Sequence, residues 1–209
     1  MDSNAIVFVV DDDAAARESV MALVSLKGLA TKGFASAEEF LAQLDDNQPG
    51  CLVVDVRMSG MSGLQLLQQL QARRSTLPSI VITGYADVPM AVKAMQAGAL
   101  TFLEKPCQEQ ALWQAIQQAL DLEAAQQAQR KQKAEIEGRL ATLTEDEVAV
   151  LRKLLEGLPN KRIAVDLDIG LRTVELRRSN IMKKMVASSL PELVRMAIVA
   201  EFLKPDVQI

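Results

Sequence analysis

The sequence predicts an α/β domain on a doubly wound, five-stranded parallel sheet, followed by a smaller all-α domain of four helices. Three observations predict it. Over the first 120 residues, short β-rich runs alternate with longer amphipathic segments, the signature of successive βα units. Beyond that point strand signals vanish and helix caps and tight turns take over. Between the two lies a polar run of strong helix formers. At 209 residues the chain is long enough for two small cores.

The strand candidates are Ile6–Val10, Leu29–Phe34, Leu52–Asp55, Ile80–Thr83 and Thr101–Leu103. Several are continuous apolar runs, as expected for strands covered on both faces. Helical segments lie near 14–27, 36–45, 63–73, 87–97 and 108–120. Ser36 followed by Glu39 is the pattern of a capping box opening the second of these. From Leu122 to Gly138 the chain is mostly Ala, Gln, Glu, Lys and Arg, which predicts that the last helix runs on as an exposed linker and stops at Gly138. A disordered linker is the alternative.

Thr144 and Glu147 form a second capping pattern, for a helix running to about Glu156. Gly157, Pro159 and Asn160 interrupt the chain before a short helix over Lys161–Leu167. Asp168-Ile169-Gly170 makes a turn, and a longer helix follows from Leu171 to about Met185. Ser189 and Glu192 start a last helix ending near Leu203. Short helices with a three- or four-residue turn between the middle pair fit helix-turn-helix geometry. The domains are therefore expected at 1–121 and 141–209, with a helical linker over 122–140.

Composition narrows the chemistry. The chain has two cysteines, Cys51 and Cys107, and no histidine. That excludes a Ser-His-Asp triad, a Cys-His nucleophile and phosphohistidine chemistry within this chain, and leaves too few ligands for a common structural zinc site. No apolar stretch approaches the roughly 20 residues of a membrane span. Neither does the N-terminus read as a signal peptide, so the expected location is cytoplasmic. Residues 1–138 hold 11 basic and 17 acidic residues, a net of −6, whereas 139–209 hold 12 and 10, a net of +2. Within 160–184 there are seven basic residues against three acidic, so the two halves are expected to meet different partners.

Asp11, Asp12 and Asp13 follow the first strand, Asp55 ends the third, Thr83 ends the fourth, and Lys105 follows the fifth. In an open parallel sheet the carboxyl ends of the strands share one crevice, which gathers these side chains into one site. Crowded carboxylates repel unless a cation bridges them. Magnesium takes oxygen ligands, usually with few protein carboxylates. One carboxylate is then left as a phosphoryl acceptor, and a lysine ammonium neutralises charge on the transferring group. Singly, each residue has an ordinary reading too: Asp after a strand often caps a helix, and Lys-Pro is a common turn.

These stretches resemble a known family. Val-Val-Asp-Asp-Asp at 9–13, Val-Asp-Val-Arg-Met at 54–58, Val-Ile-Thr-Gly at 81–84 and Glu-Lys-Pro at 104–106 look like the motifs of CheY-like receiver domains. The whole chain resembles two-component response regulators of the FixJ/StyR type. The resemblance implies phosphorylation of Asp55, with Asp11, Asp12, Asp55 and the main-chain carbonyl of Arg57 holding Mg2+, for which Mn2+ could substitute. It implies that Thr83 and Lys105 grip the phosphoryl group, that Phe102 is a switch aromatic, and that Lys105-Pro106 matches a bond often cis. Ser59 stands where the family usually has proline, Tyr85 where close relatives have histidine, and Cys107 where an aromatic is usual.

On a helical wheel of 171–185, Val174, Ile181 and Met185 form a core face, and Arg172, Leu176, Ser179 and Lys183 lie opposite. Such a stripe suits the major groove, with Arg177, Arg178 and Lys184 flanking it within reach of phosphates. Leu-Pro-Asn-Lys-Arg-Ile-Ala at 158–164 and Arg-Thr-Val-Glu-Leu-Arg-Arg-Ser-Asn-Ile-Met at 172–182 resemble the LuxR-type signature. This adds Asn160, Lys161, Thr173 and Glu175 to the implied DNA contacts. Arg177 replaces a common histidine and Gly170 a common serine cap.

The resemblance therefore implies a non-enzymatic transcription regulator with a sensor histidine kinase, promoter DNA and RNA polymerase as partners, and no membrane. It is expected to dimerise on phosphorylation and, as such relatives mostly do, to activate transcription. Two other classes stay open at this point. An aspartate-nucleophile phosphatase also uses a strand-end Asp, magnesium and a lysine, although such enzymes usually pair Asp-x-Asp, and Ala-Ala-Ala follows Asp13 here. The other is a DNA-binding protein whose receiver serves only in dimerisation.

Overall fold

The structure, a computed structural model, describes residues 5–45, 48–84 and 87–202. The chain divides into two compact units, Met1–Ala128 and Gln129–Ile209.

The first unit alternates β1 (Ile6–Val10), α1 (Ala14–Leu26), β2 (Ala30–Phe34), α2 (Ala37–Gln43), β3 (Gly50–Asp55), α3 (Gly63–Ala72), β4 (Ser79–Thr83), α4 (Val88–Gln96), β5 (Thr101–Glu104) and the start of α5 (Glu109–Leu140). All strands pair in parallel, in the order β2-β1-β3-β4-β5. The central strand β3 is buried at every position, which explains its unbroken apolar run. Alternate residues serve opposite layers. Phe8, Val10, Leu52, Val54 and Val81 pack with Phe34, Phe40, Leu66 and Leu70 on one face. Val7, Val9, Val53, Ile80 and Ile82 pack with Val24, Leu112 and Ile116 on the other.

β3 begins at Gly50, two residues before the expected start. The reason is steric: a Cβ on Gly50 would lie 2.0 Å from the Ile6 carbonyl oxygen, so only glycine lets β3 pair with β1 there. Capping also departs from expectation at α2. Ser36 Oγ accepts from the Glu39 N–H at 3.1 Å, but the Glu39 carboxylate reaches back to Ala35 N (3.0 Å) rather than to Ser36. An unexpected reciprocal box opens α3, between Ser62 and Gln65.

The last helix of the first unit runs on as a helical linker, as expected, and only its stop and its exposure need correction. α5 is a single helix from Glu109 to Leu140 and runs through Gly138 without stopping. A glycine in the last turn of a helix costs at most about 1 kcal/mol relative to alanine, and packing outweighs it. Ile136 is buried in the second unit's core, Leu140 packs against it, and Arg139 donates to the Met185 carbonyl at 3.2 Å. The segment is not uniformly exposed either, since Glu123 and Ile136 are both buried.

The second unit continues with α6 (Glu145–Leu155), α7 (Asn160–Asp166), α8 (Leu171–Met185) and α9 (Leu190–Val199). Its core joins Val150, Leu151, Leu154, Ile163, Val174, Ile181, Met185 and Leu193. Thr144 and Glu147 form the expected capping box. Before α9, Ser189 Oγ accepts from Glu192 N, while the Glu192 carboxylate turns to Ser188. The last helix ends at Val199, short of the expected Leu203, because Glu201 turns left-handed at φ 54° and Phe202 N–H bonds back to Ala197 O. Leu203 itself lies outside the described residues, as does Tyr85. No helix among the described residues is long and apolar enough to cross a membrane.

Candidate functional site

The carboxyl ends of β1, β3, β4 and β5 converge. β1 stops at Val10, which leaves Asp11 buried and Asp12 exposed, while Asp13 caps α1 through the N–H groups of Ala15 and Ala16. Asp55 ends β3 with only 5% exposure, and Thr83 ends β4 fully buried. Gly63 makes room behind Asp55: a Cβ there would sit 2.1 Å from the Asp55 carbonyl oxygen.

Lys105 joins the cluster. Its Nζ lies 2.6 Å from Asp11 Oδ2 and 2.9 Å from Asp55 Oδ1, and its main-chain N–H donates to Thr83 O at 2.7 Å. The Lys105-Pro106 bond is cis, as the resemblance implied. Asp55 Oδ2 accepts from the Arg57 N–H at 2.6 Å. Asp11 Oδ1 accepts from Asp13 N at 3.0 Å, and Arg17 grips the Asp11 carbonyl at 2.6 Å. Phe102 is half-buried against the core layer containing Val81.

Charge explains the titration tendencies. Burial pushes the Asp55 carboxyl above its ordinary value, against the pull of Lys105. Burial by itself would lower Lys105, but Asp11 and Asp55 outweigh it and raise the ammonium's pKa. Asp12 is held below the ordinary range by the main-chain N–H and hydroxyl of Ser59, which donate to its Oδ2 at 2.8 and 2.9 Å.

In the sequence Ser59 stands out only as a departure from a proline. Nothing in the pattern showed that it reaches 47 residues back to Asp12. Glu38, which accepts from Met61 N at 3.0 Å and so pins the same loop, likewise carries no signal in the sequence.

The donor set fits magnesium in kind: hard oxygens alone, with three carboxylates against one ammonium, a local deficit that a divalent cation would balance. Among the described residues, however, no three acidic or cysteine side chains are gathered closely enough to hold a metal as they stand. Asp11 and Asp55 share Lys105, and Asp12 is drawn to Ser59. Chemically, Asp55 offers a strand-end carboxylate beside the Lys105 ammonium and the Arg57 main-chain N–H.

In the second unit, α8 turns Val174, Ile181 and Met185 into the core and leaves Arg172, Leu176, Ser179 and Lys183 exposed, with Leu176 at 62%. Glu175 and Lys161 are exposed, and Thr173 is half-buried. Asn160 Oδ1 accepts from Arg178 at 3.1 Å, tying α7 to α8. The flanking cations differ from the simple picture of free phosphate contacts. Arg177 is ion-paired with Asp146. Lys184 is turned inward, 2.6 Å from Glu147 and 3.0 Å from the Thr142 carbonyl. Its partner Glu147 is buried and its carboxyl is held below the ordinary range, chiefly by Lys184.

Comparison with known proteins agrees with both halves of this geometry. Residues 7–117 match the response regulator receiver domain, and 141–197 match the luxR family of bacterial regulatory proteins. The chain is 48% identical to the transcriptional regulatory protein FixJ of Rhizobium meliloti (strain 1021) over 196 residues, 94% of this chain and 96% of that protein. It is 40% identical to the response regulator protein TodT of Pseudomonas putida (strain F1), covering 99% of this chain and 90% of that protein. Among solved structures, the response regulator StyR aligns with a TM-score of 0.84 at 42% identity, over 93% of this chain and 98% of that one. Full-length FixJ from B. japonicum aligns with a TM-score of 0.56 at 40% identity, over 97% of this chain and all of that one.

Proposed function

The chain belongs to the two-component response regulators that join a receiver to a LuxR-type DNA-binding domain, and from that premise we propose that phosphorylation of Asp55 drives it to dimerise and bind promoter DNA. The observation that carries this reading is the setting of Asp55. It is a buried strand-end carboxylate with one oxygen on Lys105 and the other on the Arg57 N–H.

A sensor histidine kinase supplies the phosphoryl group. An Asp55 oxygen forms a bond to phosphorus as the bond from phosphorus to the kinase's histidine nitrogen breaks, and that nitrogen keeps the electron pair. Asp11, Asp12, Asp55 and the Arg57 carbonyl would hold Mg2+, or Mn2+ in its place, which would supply charge neutralisation on the transferring group. Lys105 then exchanges part of its carboxylate contact for a phosphoryl oxygen, and Thr83 offers its hydroxyl to another. Phe102 turns into the space Thr83 gives up. A full swing of this equilibrium requires about 5.5 kcal/mol of differential stabilisation.

Dimerisation brings two α8 helices to neighbouring half-sites. Arg172, Leu176, Ser179 and Lys183 face the groove, Arg177 and Arg178 flank it toward phosphates, and Asn160, Lys161, Thr173 and Glu175 complete the contacts. Activation through RNA polymerase, a cytoplasmic location, and domains at 1–121 and 141–209 around a helical connection at 122–140 complete the reading.

The test is intact mass after treatment with a small phosphodonor, with and without magnesium, on wild type and Asp55→Asn. One magnesium-dependent phosphoryl adduct, absent in the variant, is expected. An adduct that persists in Asp55→Asn overturns Asp55 as the acceptor, and none in wild type overturns the proposal in favour of a DNA-binding protein that ignores phosphate.

A further inference from the structure

Asp12 is the exposed carboxylate of the acidic pocket, and a loop from the other side of the pocket sets its position. Ser59 gives both of its donors, main-chain N–H and hydroxyl, to the same oxygen, Oδ2, at 2.8 and 2.9 Å. Both are hydrogen bonds to a charged acceptor, the stronger kind. Proline, the residue the family resemblance puts at this position, has neither donor.

The loop that carries Ser59 is itself held. Gly60 takes a left-handed φ of 80°. Met61 N–H donates to Glu38 Oε1 at 3.0 Å, Gly63 N–H donates to Val56 O at 3.1 Å, and Ser62 and Gln65 close a capping box. Ser59 therefore presents its donors from a fixed frame. Meanwhile Asp11 and Asp55 are drawn together by Lys105.

We propose that Ser59 is a positioning residue that latches Asp12 toward the β3–α3 loop, so that the magnesium affinity of the pocket is set by competition between Ser59 and the cation for one carboxylate. The latch rests on the reading of Asp12 as a magnesium ligand. Recruiting Asp12 breaks two hydrogen bonds, which weakens metal binding relative to a site with proline there. The consequence is a receiver whose phosphorylation rate depends on magnesium concentration over a higher range than a proline-bearing one.

The experiment is a magnesium titration of the full chain by proton–nitrogen NMR and calorimetry, on wild type, Ser59→Ala and Ser59→Pro. Ser59→Ala keeps the N–H and loses the hydroxyl, and is expected to bind magnesium roughly three- to tenfold more tightly, the order of one hydrogen bond to a charged group at an exposed site. Ser59→Pro loses both donors and is expected to bind more tightly still. In wild type the Ser59 amide signal should shift as metal saturates, reporting release of Asp12. Affinities in both variants equal to or weaker than wild type, with a still Ser59 amide, overturn the latch. If wild type in that case is still phosphorylated at Asp55 with magnesium, the reading of the site survives without it. A wild-type chain that neither binds magnesium nor takes a phosphoryl group overturns both.

Discussion

Lys105 holds two buried carboxylates at once, so Lys105→Met isolates what that one ammonium contributes. Its Nζ lies 2.6 Å from Asp11 and 2.9 Å from Asp55. At an effective dielectric of about 20, two unit charges about 2.9 Å apart attract by about 6 kcal/mol. Desolvation takes back most of that. The Lys105 side chain keeps 27% of its exposure, which screens the pairs further. The expected loss is about 2–3 kcal/mol, mostly because Asp11 and Asp55 are left to repel each other without a bridge.

The pH dependence has a definite sign. Burial raises the folded-state pKa of Asp55 above its ordinary 3.8. A raised carboxyl contributes stability that is present below the unfolded value and lost as pH rises through the folded value. The Lys105→Met deficit should therefore be largest at neutral pH and shrink as acid protonates Asp55. The raised pKa of Lys105 places the loss of the wild-type bridge at alkaline pH.

The assay is urea unfolding followed by the fluorescence of Trp113. It is the sole tryptophan and packs, partly buried, against the first unit's core, so it reports that unit. Asp55→Asn should recover part of the loss, with a coupling of about 1–2 kcal/mol in the double-mutant cycle. Added magnesium should stabilise Lys105→Met by more than it stabilises wild type. A variant as stable as wild type from about pH 4 to 8, with no coupling to Asp55→Asn, would falsify the claim that Lys105 bridges the two carboxylates.

Three other outcomes are expected. Gly63→Ala drives a Cβ against the Asp55 carbonyl and Val54, so it should destabilise the first unit by about 2 kcal/mol and slow phosphodonor labelling of Asp55, read by Trp113 fluorescence and intact mass. Val186 closes α8 at a left-handed φ of 55° with its side chain 65% exposed. Val186→Gly should therefore raise the stability of the second unit by about 1 kcal/mol in a thermal scan of the full chain. Lys184→Met should cost about 1 kcal/mol at neutral pH. Because the paired Glu147 has a lowered pKa, that contribution exists above the ordinary 4.5 and fades as pH falls through the folded value, so circular dichroism melts of variant and wild type should converge in acid.

Much of the fold could be read from local pattern. Strand runs such as Ile6–Val10 follow from unbroken apolar stretches, and the core face of α8 through Val174, Ile181 and Met185 and the Thr144–Glu147 box from periodicity and spacing, all of them local properties of the chain. The gathering of Asp11, Asp55, Thr83 and Lys105 was legible too, because a parallel sheet must bring its strand ends together. Other features were not. Gly138 carries a stop signal, yet α5 passes through it because Ile136 and Leu140 are packed into a core assembled from distant helices. Likewise the acceptor of the Glu39 carboxylate is chosen by loop conformation, which spacing alone does not encode.

By itself, then, the sequence determined which residues lie at the strand ends and on the exposed face of α8, since unbroken apolar runs mark buried strands and a period of 3.6 marks the core face of a helix. Only the tertiary structure decided how those charges are spent. Lys105 spans Asp11 and Asp55, Ser59 takes Asp12, and Lys184 turns from the α8 surface to a buried Glu147. Each pairing joins residues tens of positions apart whose separation in space is fixed by packing. An ion pair or hydrogen bond depends on a few tenths of an ångström, and no spacing along the chain specifies that.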